Sequence, residues 1–168
     1  MLIISSEFDI ELLPKPNEYH LILDDTLPPV ELITAVFGLI FDGNQFLMTN
    51  LVERGWDIPG GHTESGESPE QTVRREIFEE THALVRDLHV LGYDKFMIQA
   101  PKPDAYSYPY PVSYQLFYWG RVNRLEPFVA TSEAVGRKLF TPEAARQTDW
   151  VKRSPALYEA ALNQVVST

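Results

Sequence analysis

The most constraining feature of the sequence is an acidic, helix-forming segment at residues 61–83, GHTESGESPEQTVRREIFEETHA. Six of its side chains are acidic, and five of these fall between Glu67 and Glu80. Like charges one turn apart on a helix repel each other, so this crowding weakens the helix that carries it. A fold that keeps the segment must therefore supply something that offsets the repulsion.

Local signals place a helix at about Pro69 to Thr81. Ser68 is a favourable N-cap, Pro69 suits the first helical position, and Gln71 completes a capping box with Ser68. These signals depend only on near neighbours in the chain. They predict where the helix begins before anything is known of the rest of the fold.

The acidic side chains lie beside the apolar stripe of this helix. At about 100° per residue, Val73 and Ile77 define the buried stripe, and Glu80, Glu76 and Glu79 occupy an arc that begins next to it. Two charges about 6 Å apart repel by about 3 kcal/mol at an effective dielectric near 20. Composition alone favours a solvated acidic face, whereas the position beside the stripe favours a bound hard cation such as Mg²⁺.

The spacing of the segment resembles the Nudix box, G-x5-E-x7-R-E-U-x-E-E-x-G-U, in which U is aliphatic. The matching positions are Gly61, Glu67, Arg75, Glu76, Ile77, Glu79 and Glu80. The departure is His82, where the family has a glycine that ends the helix in a left-handed turn. We therefore expect the helix exit to differ. WDIPGG (56–61) and FTPEAAR (140–146) also resemble the family, so the resemblance covers about residues 32–150.

The resemblance implies an α+β fold, an α/β/α sandwich with a mixed central sheet, over residues 32–168. Residues 1–31 contain four prolines and are predicted to form an N-terminal arm that packs on this domain, with one or two short strands such as Tyr19 to Leu23. Residue types predict the other elements: strands at 31–41, 45–51, 89–99 and 112–122, a hairpin turn at 42–44, and helices at 141–147 and 154–166. Pro59, Gly60 and Gly61 are expected to stop regular structure.

The resemblance also assigns roles to the acidic cluster. It implies that Glu76 and Glu80 bind Mg²⁺, or alternatively Mn²⁺, with help from the carbonyl group of Gly60. Glu79 would be a further metal ligand or the general base, and Arg75 would orient Glu79. Metal ions screen the charge of a diphosphate and lower the pKa of a bound water.

Other candidate residues lie outside the helix, and each has a simpler interpretation. Glu133 is a candidate general base, although a surface glutamate is at least as common. Arg54 is a candidate phosphate contact, although most arginines are surface residues. Tyr108 and Tyr110, with Tyr106, could stack on a nucleobase or could only stiffen a proline-rich loop.

The predicted function is a Mg²⁺-dependent pyrophosphohydrolase that cleaves a nucleoside diphosphate linked to another moiety by attack of water on phosphorus. Two alternatives stay open. One is a non-catalytic nucleotide-binding or regulatory module of the same fold, which the departure at His82 favours. The other is an isoprenoid diphosphate isomerase, although related isomerases use a cysteine and this chain has none.

Net charge, apolar runs and cysteine content limit the classes of molecule that the protein is expected to bind. The net charge of −10 repels the phosphate backbone of nucleic acids, so we expect a small nucleotide-type substrate rather than a nucleic-acid polymer. No apolar run approaches the roughly 20 residues that span a bilayer, so we expect no membrane association. The absence of cysteine excludes disulfides and is compatible with a cytoplasmic location. A homodimer is left open.

Overall fold

The computed structural model describes residues 1–167 and contains a nine-stranded sheet. Along the main path the strand order is β1-β2-β7-β8-β3-β4-β5, with β6 paired to β3 and β9 paired to β4. The strands β3 and β8 pair in parallel, whereas the other described pairs are antiparallel. The strands are β1 (Leu2–Phe8), β2 (Asn17–Leu23), β3 (Ile33–Asp42), β4 (Gln45–Leu51), β5 (Gly55–Asp57), β6 (Gly60–His62), β7 (Ala83–Ile98), β8 (Val112–Leu125) and β9 (Ala134–Phe140).

Helices cover both faces of this sheet. They are α1 (Pro69–Thr81), α2 (Pro142–Ala145), α3 (Asp149–Arg153) and α4 (Pro155–Ser167). On one face, Val73 and Ile77 of α1 are fully buried against β3, and burying one such side chain stabilises the fold by roughly 1.5–3 kcal/mol. On the opposite face, Trp150 of α3 and Tyr158 of α4 pack on Phe46 of β4. The predicted α/β/α sandwich with a mixed sheet is confirmed.

The N-terminal segment extends the sheet. β1 and β2 form an antiparallel pair, and β2 then pairs with β7 along its whole length. The predicted strand from Tyr19 to Leu23 lies within β2. The proposed division of the chain at residue 31 stays a prediction, and the last residue of the proposed domain, residue 168, lies outside the described residues.

Several sequence predictions of regular structure were wrong. Pro59, Gly60 and Gly61 were expected to stop regular structure, yet Gly60 and Gly61 lie in β6, which pairs with β3, and β5 was not predicted. β7 begins six residues before the predicted start at His89, and β9 and α3 were not predicted. β6 and β9 pair with strands that lie far earlier in the chain, so local composition did not reveal them. Within residues 1–167 no helix is both long and apolar enough to cross a lipid bilayer.

Candidate active site

The helix α1 begins and ends where the sequence predicts. The hydroxyl group of Ser68 accepts a hydrogen bond from the backbone N–H of Gln71, and the side chain of Gln71 accepts one from the backbone N–H of Ser68. This capping box satisfies two backbone N–H groups that would otherwise lack partners. It fixes the rotation of the helix and therefore the direction in which the carboxylates point.

Arg75 connects the loop before the helix to the helix itself. It donates two hydrogen bonds to Glu67, of 2.7 and 3.0 Å, and these bonds lower the pKa of Glu67 to about 2. Glu67 also accepts hydrogen bonds from the backbone N–H of Glu64 and from the hydroxyl group of Thr72. With all these donors Glu67 holds the loop before the helix in place.

The same guanidinium group holds two of the other acidic residues. Arg75 donates hydrogen bonds of 2.8 Å to Glu76 and 3.2 Å to Glu79, and a third of 3.1 Å to the carbonyl oxygen of His62. The hydrogen bond to Glu67 and those to the other carboxylates raise the pKa of Arg75 above its ordinary value. Arg75 therefore orients Glu76 and Glu79 and neutralises part of their charge.

Two carboxyl groups are largely withdrawn from water. The side chain of Glu76 is 14% exposed, and burial raises its pKa although Arg75 opposes the shift. Glu80 is 8% exposed, and its Oε2 atom is buried with no hydrogen-bond partner among the described residues. Burial, followed by the nearby charge of Glu76, raises the pKa of Glu80 to about 8. A buried carboxylate without a partner is costly unless another group compensates it.

Two consecutive glycines allow these carboxylates to approach the sheet. A Cβ atom on Gly61 would lie 2.6 Å from Oε1 of Glu76, and a Cβ atom on Gly60 would lie 2.4 Å from the carbonyl oxygen of Val36. Both distances are shorter than van der Waals contact. The strand β6 can therefore pass between β3 and α1 only because these positions carry no side chain.

Glu79 is the most accessible of the three acidic residues, since its side chain is 58% exposed. Among residues 1–167, no three acidic or histidine side chains converge closely enough, as they stand, to hold a metal ion. Arg75 lies between Glu76 and Glu79 and donates a hydrogen bond to each of them.

Two adjoining cavities bring further predicted residues to the same place. A cavity of about 450 Å³, here called the carboxylate cavity, is lined by Glu76, Glu79, Glu80 and Glu133. A smaller one of about 230 Å³ is lined by Glu80, Glu133 and Arg54. The structure thus places Glu133 and Arg54 beside the acidic cluster, although they lie far from it in sequence.

His82 ends the helix in the left-handed conformation, with φ of 53° and ψ of 31°. The expectation of a different helix exit was therefore wrong. Histidine occurs in this region more often than most residues, and here its ring packs 5.3 Å from Phe78 and 5.6 Å from Phe128. The backbone N–H of His82 donates a 2.8 Å hydrogen bond to the carbonyl oxygen of Phe78. These contacts offset the strain that a glycine would avoid.

A third cavity lies on the opposite face of the sheet and contains residues that sequence reasoning missed. This cavity, here called the polar cavity, measures about 500 Å³ and is lined by Arg54, Asp57, Asp94, Gln115 and Arg153 among others. Asp94 accepts a 2.8 Å hydrogen bond from the hydroxyl group of Tyr19, and burial raises the pKa of Asp94 to about 7. An aspartate inside a predicted strand was the one signal that could have identified this site.

The predicted tyrosines take different positions. Tyr108 stacks on the ring of His62 with centroids 6.0 Å apart, and it lines a cavity of about 310 Å³, here called the aromatic cavity. Tyr106 lines the same cavity and contacts Tyr108 edge-on. The hydroxyl group of Tyr110 instead donates a hydrogen bond to the carbonyl oxygen of Ala100. Trp56 is partly buried and packs edge-on against Phe140.

Comparison with known proteins agrees with this geometry. The family model described as NUDIX domain matches residues 31–161. A relative, the putative 8-oxo-dGTP diphosphatase YtkD of Bacillus subtilis (strain 168), is 40% identical over 55 residues, which make up 33% of this chain and 35% of YtkD. The match thus spans about a third of that relative's length.

Two solved structures share the fold over most of the chain. The pyrophosphohydrolase BsRppH of Bacillus subtilis superposes with a TM-score of 0.67 at 23% identity, covering 96% of this chain and 98% of BsRppH. An Ap4A hydrolase of C. elegans superposes with a TM-score of 0.57 at 18% identity, covering 80% of this chain and 99% of that one. Because the family model matches most of the sequence, the chain belongs to the Nudix hydrolase family.

Proposed function

We propose that the chain is a Mg²⁺-dependent pyrophosphohydrolase that cleaves a phosphoric anhydride bond in a nucleotide derivative by attack of water on phosphorus. The observation that carries the proposal is the carboxyl group of Glu80. It is buried beside Glu76, one of its oxygens has no hydrogen-bond partner among the described residues, and its pKa is raised to about 8. Such a group is poorly placed for stability and well placed for a bound cation.

The residues present fit a hard divalent cation. Glu76 and Glu80, with Glu79 and the carbonyl group of Gly60, would hold Mg²⁺ or Mn²⁺ through oxygen atoms, which these ions prefer. The bound ion would screen the phosphate charge and lower the pKa of water so that hydroxide exists near neutral pH. The position of Glu76 and Glu80 at the edge of the core keeps them fixed for this purpose.

One of the other acidic residues would accept the proton that the attacking water loses. Glu79 is exposed and held by a 3.2 Å hydrogen bond from Arg75, so we propose it as the general base that takes a proton from water. Glu133 is the alternative base because it lines the carboxylate cavity from the opposite side. Arg75 would act by positioning Glu79 and Glu76.

The substrate would extend between the two cavities that Arg54 lines. Arg54 lines both the small cavity next to Glu80 and the polar cavity, where we propose that the nucleoside binds. The relative YtkD, a putative 8-oxo-dGTP diphosphatase, and the fold neighbours BsRppH, a pyrophosphohydrolase, and the Ap4A hydrolase support a nucleotide-type substrate. A cytoplasmic location and a homodimer stay predictions from the sequence.

A substrate panel tests the proposal. Nucleoside di- and triphosphates, ADP-ribose, NADH, dinucleoside polyphosphates and nucleotide sugars would be incubated with Mg²⁺ or Mn²⁺, and released phosphate-containing products measured. Glu79→Gln and Glu80→Gln should lower kcat by roughly a hundredfold or more, as the loss of a general base or of charge stabilisation does. Calorimetry should show weaker Mn²⁺ binding by Glu80→Gln.

The melting temperature of the variants distinguishes a metal-binding role of Glu80 from a structural one. Because burial makes ionisation of the Glu80 carboxyl group unfavourable in the folded protein, its replacement by an amide should leave the melting temperature of Glu80→Gln unchanged or raised. The control is Glu70→Gln, an exposed residue of the same helix that pairs with Arg74 at 2.8 Å, which should keep full activity. Full turnover by both Glu79→Gln and Glu80→Gln would show that the roles assigned here are incorrect.

The two alternatives have less support. A non-catalytic module was favoured by the departure at His82, yet α1 still ends in the left-handed conformation that the family's glycine provides. An isomerase would need a replacement for the cysteine that the chain lacks. Failure of every substrate in the panel would favour the non-catalytic module.

A further inference from the structure

The aromatic cavity lies between the N-terminal loop, the loop that carries the tyrosines, and the sheet. Leu12 and its neighbours in the N-terminal loop form one wall, Tyr106 and Tyr108 form another, and His62 closes the end next to the Nudix box. Leu12 is 91% exposed, which is unusual for a leucine that lines a cavity. A volume of about 310 Å³ is within the lower range of small-molecule sites, which measure roughly 300–1,000 Å³.

This cavity is continuous with the polar cavity. Leu12 and Gln115 line both of them. The sheet register explains why, because Asp94 lies opposite Gln115, Gln115 opposite Ala35, and Ala35 opposite His62. Side chains opposite each other on paired strands point to the same face. Asp94 and His62 therefore stand at two ends of one row, about 14 Å apart at a strand spacing of about 4.8 Å.

Each cavity also approaches the acidic cluster by its own route. The polar cavity reaches Glu80 through Arg54, which lines the small cavity beside that carboxyl group. The aromatic cavity is connected to the cluster at His62, whose carbonyl oxygen accepts a 3.1 Å hydrogen bond from Arg75, and Arg75 also donates to Glu76. A substrate whose phosphates lie at the acidic cluster would thus have both cavities nearby.

The two cavities differ in chemistry. The polar cavity presents two arginines, two aspartates and Gln115 beside apolar side chains such as Phe117 and Trp150, so it can bind both the face and the hydrogen-bonding edge of a nucleobase. The aromatic cavity presents the stacked rings of His62 and Tyr108, only 22° from parallel, with Phe96 and Leu12 nearby. Planar rings and apolar walls favour another planar ring, because stacking is tolerant of which ring is bound.

We propose that the aromatic cavity binds a second planar ring of the substrate, so that the preferred substrates carry a ring at each end of the phosphate chain. The inference rests on the proposed function and deepens it. The N-terminal loop that carries Leu12 lies before residue 31, where the family match begins, so this segment selects the substrate. Mononucleotides would fill the polar cavity alone.

The test compares substrates with two rings and with one. Diadenosine tetraphosphate and NADH carry two rings, whereas ADP-ribose and dGTP carry one base, and kcat/KM would be measured for all four. We expect wild-type protein to prefer at least one two-ring substrate over both one-ring substrates by roughly tenfold, the range that one stacked base provides. A comparison of kcat/KM for diadenosine tetraphosphate and for NADH shows whether the preferred second ring is a purine or a nicotinamide.

Variants then locate the second ring. Tyr108→Ala and Leu13→Ser change residues that line the aromatic cavity and not the polar cavity. Each should raise KM for the preferred two-ring substrate by roughly tenfold and change the values for ADP-ribose and dGTP by less than about twofold. Tyr108→Phe keeps the ring and should retain wild-type preference. The control is Leu27→Ser, an exposed leucine of the N-terminal segment that lines neither cavity, which should change nothing.

The outcomes are separable. Wild-type turnover without a two-ring preference, or a preference that Tyr108→Ala and Leu13→Ser leave intact, would overturn the inference while the proposed function stands. If no phosphoric anhydride is cleaved, the proposed function fails. Equilibrium binding of diadenosine tetraphosphate to wild type and to Tyr108→Ala then tests the cavity alone, and equal affinities would overturn it.

Discussion

At the scale of single residues, the acidic cluster depends on a position that has no side chain. Gly61→Ala would place a Cβ atom 2.6 Å from Oε1 of Glu76 and force this carboxylate to move. A displacement of about 1 Å in a catalytic group can lower the rate about a hundredfold. We therefore expect kcat of Gly61→Ala to fall by about that factor, measured with the best substrate of the panel.

A second glycine provides the control for this prediction. Gly43 turns the hairpin between β3 and β4 with φ of 59°, and nothing lies within 4 Å of an added Cβ atom. Gly43→Ala should destabilise the protein by about 1–2 kcal/mol through backbone strain and leave kcat unchanged. Equal losses of kcat in both variants would attribute the effect to general destabilisation rather than to displacement of Glu76.

Some residues of the candidate site are brought together by local helix geometry, and others by the pairing of strands that are distant in sequence. Glu76, Glu79 and Glu80 could be predicted because they lie within two turns of one helix, and helix geometry alone brings them together. Asp94 and Gln115 could not, because only the pairing of β7, β8 and β3 places them in one row. Sequence reasoning found residues arranged by local geometry and missed those arranged by sheet register.

At the scale of elements, the pairing of β2 with β7 creates a pH-dependent contact. Asp94 of β7 accepts the hydrogen bond of Tyr19 from β2, and burial raises the pKa of Asp94 from 3.8 to about 7. Between these values the folded protein keeps a proton that the unfolded chain releases, so this group's contribution to the free energy of unfolding falls as pH rises. The loss is on the order of a few kcal/mol.

Replacing this aspartate should remove the effect. Urea unfolding at pH 4, 6 and 8 should show Asp94→Asn gaining stability relative to wild type as pH rises, since an asparagine side chain cannot ionise. Asp104→Asn, in an exposed loop, should follow the wild-type profile. A constant difference between wild type and Asp94→Asn across this range would show that Asp94 ionises normally in the folded protein.

Helices and strands also differ in whether nearby or distant residues determine them, and this difference decided which of them could be predicted. α1 was predicted to the residue because Ser68, Pro69 and Gln71 specify its start in a single turn. β9 was missed because its stability comes from pairing with β4, which lies far earlier in the chain. α3 is only five residues long, although the capping bond from Val151 to Thr148 was a readable signal.

At the scale of the whole molecule, the net charge of −10 opposes the approach of a polyanionic substrate. Local cations such as Arg54 and Arg153, together with the metal ion proposed above, would act in the opposite direction. Long-range repulsion is screened by salt, since the Debye length falls to about 8 Å at about 0.15 M. Contacts within the cavities are shorter than this and are screened less.

The balance predicts how salt affects substrate capture. With Mg²⁺ held saturating, kcat/KM should rise roughly a few-fold as NaCl increases from about 20 to about 150 mM, because the repulsion of the surface is screened first. Glu31→Gln with Asp42→Asn removes two exposed negative charges and should give a shallower rise. Were kcat/KM to fall with salt instead, the arginines of the polar cavity would dominate capture, and the acidic surface would have no part in selecting the substrate.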